Sequence, residues 1–138
     1  MVLMYSCENQ NNGETKISTH HSAKSHNTGQ NCMECHSQEA FGEGWFTVAG
    51  SVYDSTQNSI FPNATVWLYT GPSQSGELML ELEGDQLGNF YTTENIDFGN
   101  GLYASVEGKE TTKHMSSSLE TGECNSCHGN GIGRIWTK

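Results

Sequence analysis

The sequence predicts a mainly β protein: an antiparallel β-sandwich flanked by irregular N- and C-terminal segments. Three observations predict it. Apolar and polar residues alternate through five short runs between residues 45 and 106. A period of two marks half-buried strands, because successive side chains point to opposite faces. The chain holds 16 Gly but only 2 Pro, a balance that suits a turn-rich β domain better than a helical bundle. Only 33% of its 138 residues are hydrophobic, so the core is compact and the length is that of one ordinary domain.

Residues 1–44 form a polar arm once the first five residues are passed. They carry four of the six histidines and one pair of cysteines. Residues 45–108 form the sandwich. Its first run, from Trp45 to Tyr53, places Phe46, Val48 and Val52 on one side. The second, Ala64 to Tyr69, puts Ala64, Val66 and Leu68 on one face. The third, Glu77 to Glu83, turns Leu78, Leu80 and Leu82 inward and Glu77, Glu81 and Glu83 outward. That acidic stripe reads as a solvated edge that resists strand-to-strand aggregation. Phe90 to Thr93 and Leu102 to Val106 complete the set. The separators are turn chemistry: residues 54–59, 70–76, 84–89 and 99–101, rich in Gly, Asn, Asp and Ser. Residues 109–138 return to a polar, irregular segment with the second pair of cysteines. The polar residues of the sandwich lie in turns and on outward faces, so it reads as a scaffold with no site of its own.

The formal net charge is −10, with only six Lys and Arg against 16 Asp and Glu. No basic surface is available for a phosphate backbone, which excludes nucleic acid as a partner. No stretch is long enough to span a membrane. The opening residues lack the charged and apolar regions of a full signal peptide. Cys7 is suited to be the lipidated residue of a truncated lipoprotein signal.

The other four cysteines carry the chemistry. Cys32-Met-Glu-Cys-His36 and Cys124-Asn-Ser-Cys-His128 both match the haem c attachment signature. Thiols three residues apart reach the two vinyl groups of one porphyrin, and the adjacent histidine lies under the iron as its proximal ligand. Covalent attachment lets a short peptide hold a large apolar cofactor without a deep pocket. The flanking sequences repeat as well, Thr28-Gly-Gln before the first motif and Thr121-Gly-Glu before the second. A four-cysteine zinc site is the alternative. Against it stand the whole domain between the pairs and the His that follows each pair directly. A disulfide within either pair is the other alternative.

Four histidines remain: His20, His21, His26 and His114. They are candidates for the distal axial position. Two strong protein ligands close an iron to substrate and leave it to move electrons, with ligand identity setting the potential. His114 is the candidate for one haem and a member of His20, His21 and His26 for the other. Met115 competes beside His114 and would raise the potential. Met33, inside the attachment loop, cannot easily reach over the ring.

Val48 to Asp54, Ala64 to Tyr69 and Gly88 to Thr92 resemble carboxypeptidase-regulatory-like, or transthyretin-like, sandwiches; that likeness implies a scaffold. With both motifs in view, the chain resembles a small dihaem c-type cytochrome and is similar to subunits of extracellular multihaem cytochrome filaments. The resemblance implies two covalent haems on Cys32, Cys35, Cys124 and Cys127, with His36 and His128 proximal. It implies electron transfer rather than catalysis, an extracellular, cell-surface or periplasmic location, and redox proteins or extracellular acceptors as partners. For a filament it also implies a homo-polymer with haem contacts between subunits, built on haem segments at opposite ends of the fold. His20 or His21 then serves a neighbouring haem, and Val2 to Tyr5 add to a neighbouring sheet edge. A monomeric or lipid-anchored carrier, a small peroxidase with an open iron, and a zinc-stapled binding module are the alternatives.

Overall fold

The computed structural model describes residues 15–37 and 44–138, and Cys7 and Val2 to Tyr5 lie outside them. The chain is mainly β, with two sheets face to face. The strands are β1 (Val48–Tyr53), β2 (Thr65–Tyr69), β3 (Leu78–Glu83), β4 (Asn89–Thr92), β5 (Tyr103–Glu107), β6 (Thr112–His114), β7 (Gly122–Glu123) and β8 (Ile135–Trp136). A single helical turn, α1 (Cys124–Cys127), follows β7 directly. One sheet runs β3-β2-β5-β6, all antiparallel. The other is centred on β1, which pairs antiparallel with β4 and parallel with both β7 and β8.

Alternation builds the core. Val66 and Leu68 of β2, Leu80 and Leu82 of β3, and Val48 and Val52 of β1 are all buried and packed in one cluster with Phe90 and Leu102. Leu78 departs from its expected inward position and is 44% exposed. The register of β2 against β3 shifts between Leu68 and Tyr69, so the inward phase of β3 holds only from Leu80 onward.

Residues 109–138, expected as an irregular segment, contribute strands to the sheets. β6 pairs with β5, and β7 and β8 pair with β1, so residues 109–138 are woven into both sheets. The N-terminal arm is likewise tied down, with Ile17 bridging Thr92 at the free side of β4. Strand β1 is therefore buried along its whole length rather than on alternate residues. Its outer face lies beneath the arm and the C-terminal segment: Gly29 N–H donates to Ser51 Oγ at 2.9 Å and Arg134 lies 4.4 Å above the Tyr53 ring. Gly50 is needed at its place for space, since a Cβ there would stand 2.5 Å from the Phe90 ring and 2.8 Å from Cys124 Cβ.

Candidate haem sites

The first motif sits in a 3-10 turn over Cys32–Glu34, started by Asn31, whose side chain accepts from Met33 N–H at 3.2 Å. His36 N–H closes the turn on the Cys32 carbonyl at 2.9 Å. The His36 ring stacks on Phe46, centroids 4.3 Å apart, and Phe46 stacks on Tyr91 at 4.9 Å. Across from it stands His26, with ring centroids 6.0 Å apart and planes tilted by 37°. Histidine–metal bonds are about 2.0–2.1 Å, so two imidazoles on opposite sides of one ion have centroids about 6 Å apart. The spacing of His26 and His36 fits a shared iron.

The second motif forms α1. It borders a cavity of about 300 Å³ between the sheets, walled by apolar residues such as Leu68, Phe90 and Ile135. His114, Met115, Cys124 and His128 all line this cavity. His114 comes from the edge of one sheet, at the end of β6, while His128 follows α1 beside the other. Each ring has its Nδ1 engaged: His128 with the Gly133 carbonyl at 2.8 Å, His114 with Ser105 Oγ at 2.7 Å. Among the described residues no hydrogen bond engages Nε2 of either ring. A partner on one ring nitrogen selects the tautomer and frees the other for a metal. Ser105 is held opposite His114 by the β5–β6 register. A cavity of this size is at the small end of ligand pockets, about 300–1,000 Å³.

The sulfurs of Cys32 and Cys124 sit where the neutral form is favoured. Burial pushes the Cys124 thiol up to about 12, and burial also raises that of Cys32. Apolar surroundings of this kind favour the neutral sulfur over the thiolate. None of the four motif cysteines is in a disulfide, and among the described residues no three His, Cys, Asp or Glu side chains converge as a metal site.

The two motif segments meet; they do not lie at opposite ends of the fold, as a head-to-tail haem path would need. Asn125, within the second attachment loop, accepts from Ser51 N–H at 3.1 Å and donates to Ser51 Oγ at 3.0 Å and to the Gln30 carbonyl at 2.8 Å. Ser51 Oγ in turn donates to Asn89 Oδ1 at 2.7 Å, and Asn89 Nδ2 donates to Ser25 and Thr28 in the arm. Buried Asp85 accepts from Ser25 Oγ and from Asn89 N–H. Ser51 Oγ thus accepts two bonds and donates one, its full capacity. Every buried side-chain polar atom among the described residues has a partner. The segments converge because both need the outer face of β1.

The remaining histidines are placed elsewhere. His20 has its Nε2 3.2 Å from the Ala64 carbonyl and its Nδ1 3.3 Å from Glu83, so both nitrogens serve β2 and β3. His21 is exposed, with φ of 67°, and its ring meets that of His20 edge-on at 6.3 Å. That pair has a similar separation to His26 and His36, but His20 has no nitrogen to give and no cysteine pair lies beside it. The sandwich, expected to be a scaffold, has this cavity between its sheets, with Ser105 of β5 in the lining. Ser105, Phe46 and Asn125 escape a motif-based reading. A serine in the middle of the apolar run Val48–Tyr53 is the one local sign that a polar partner docks there.

No protein-family model matches the chain, and no curated protein or solved structure matches it. The site rests on its own geometry.

Proposed function

We propose that the chain is a dihaem c-type cytochrome that transfers electrons. Cys32 and Cys35 hold one haem between His36 and His26, and Cys124 and Cys127 hold the other between His128 and His114. One observation carries the reading: two histidines, one at the end of β6 and one following α1, border one apolar cavity beside a motif cysteine, each with Nδ1 tied and, among the described residues, no hydrogen bond on Nε2. Bound haem supplies an iron that gains and loses single electrons. The protein's part is to close both axial positions, exclude water from one face of the second site, and hold the two motifs at a set separation through Asn125 and Ser51. A rigid polar bridge of this kind limits the rearrangement that accompanies each electron.

Closed axial positions favour a carrier over a peroxidase, which needs an open iron and a placed acid–base group. With His26 and His114 as distal ligands, each of the four axial positions would have its ligand within one chain. That favours a self-contained carrier over a filament that borrows a histidine from its neighbour. An extracellular or periplasmic location follows from the resemblance to c-type cytochromes; among the described residues no helix is long and apolar enough to cross a membrane.

Intact mass tests the reading first. It should exceed the polypeptide by two haems, before and after acid extraction. The reduced protein should show low-spin spectra and fail to bind carbon monoxide. An apo mass, bound zinc, or a high-spin iron overturns it, and native mass at high concentration separates carrier from polymer.

A further inference from the structure

We propose that Lys113 and Arg134 form an anion clamp for the carboxylates of the group held between His114 and His128. The inference rests on the dihaem reading. It starts from a contrast in charge. The chain has 16 Asp and Glu but only six Lys and Arg, yet the lining of this cavity includes Lys113 and Arg134 and not one Asp or Glu. In so acidic a molecule, cations without carboxylates nearby mark a place where the negative charge arrives with the ligand.

Both cations are held in place without being neutralised. Lys113 Nζ lies 3.0 Å above the centroid of the Trp136 ring. The Arg134 guanidinium lies 4.4 Å above the Tyr53 ring, and its Nη1 donates to the Gln57 carbonyl at 2.9 Å. An aromatic face positions a cation and leaves its charge intact. Neither side chain has a carboxylate partner among the described residues. Arg134 still has N–H donors to offer after its bond to Gln57, and a guanidinium matches a carboxylate with two parallel hydrogen bonds. Lys113 offers a compact ammonium.

The ligand's chemistry is complementary. A haem is an apolar plate with vinyl groups toward one edge and two propionate carboxylates toward another. The apolar walls and Cys124 suit the plate, and Lys113 and Arg134 suit the carboxylates. The two cations also raise the potential of this haem, since positive charge close by favours the reduced iron.

The test compares wild type with Lys113→Gln, Arg134→Gln and the double variant. Haem content is measured first, and wild type should hold two per chain; wild type without haem overturns the dihaem reading and the clamp with it. Spectroelectrochemical titration then resolves the two haems. Each single variant should lower one midpoint potential, the same one, and leave the other in place. The double variant should lower it further, and Lys113→Arg should restore it. The shift should survive at 1 M salt, where the screening length is about 3 Å. An unchanged potential in the double variant overturns the clamp. So does an equal shift of both haems, or a shift abolished by salt, since either marks a diffuse surface field instead of direct contact.

Discussion

The two Cys-x-x-Cys-His motifs share a chemistry and occupy opposite kinds of environment. The first lies in a surface turn. His26 is exposed, and His36 leans on the Phe46–Tyr91 stack rather than on a core. The second borders a cavity between the sheets, with apolar walls and a Cys124 thiol that burial pushes up to about 12. The difference teaches how one fold places one motif in two unlike environments. A neutral bis-histidine pair leaves ferric haem with one more positive charge than ferrous haem, and burial disfavours the more charged form. The second site should therefore hold the haem of higher potential, with Lys113 and Arg134 adding to the effect.

Removing one distal ligand at a time is the strongest way to break this comparison. His114→Ala should turn one haem high-spin and open to carbon monoxide, and His26→Ala should do the same to the other. Visible and EPR spectra read the outcome; a single substitution that alters both haems, or neither, refutes the assignment. His20→Ala and His21→Ala should leave both spectra as they are.

Next in size is the bridge between the sites. Asn125→Leu keeps the branched shape, though it is bulkier, and leaves the buried Ser51 N–H without its acceptor, which costs about 1–3 kcal/mol. Denaturant unfolding should show that loss. Unchanged stability would mean that the two motif segments are held together by something other than Asn125.

Ser105 sharpens the comparison by a smaller amount. As acceptor from His114 Nδ1–H it makes the ring a better electron donor to a metal on Nε2. Ser105→Ala should raise the potential of the second haem alone, and Ser105→Thr should restore it. A fall in potential, or a shift in the first haem, contradicts this role.

The least effect belongs to the latch on β3. The His20–Glu83 contact joins side chains that are 33% and 44% exposed, and such surface pairs are worth about 0–1 kcal/mol. Glu83→Gln should change stability by no more than that. A larger loss would make this contact a main anchor of the arm.

Much of the fold is legible in the residues. The inward phase of Val66, Leu68, Leu80 and Leu82 follows from alternation, because the period of a strand is local geometry. Leu78 breaks the pattern for a non-local reason, a register shift against β2 at the edge of the sheet. Burial on both faces of β1 is not legible either. Its cover comes from Gly29 and Asn125, whose bonds to Ser51 span 22 and 74 positions of the chain.

The sequence by itself determined what each motif can attach: two thiols and a histidine at fixed spacing are a local property, complete within five residues. It also set the shortage of cations against which Lys113 and Arg134 stand out. Tertiary structure decided which histidine faces which motif. His26 and His20 are six residues apart in one polar arm, yet one meets His36 and the other is taken up by β2 and β3. His114 reaches the second cavity because the β5–β6 register sets it opposite Ser105. Several histidines lie within a short stretch of each motif, so spacing along the sequence does not choose among them; the packing of sheets and segments does.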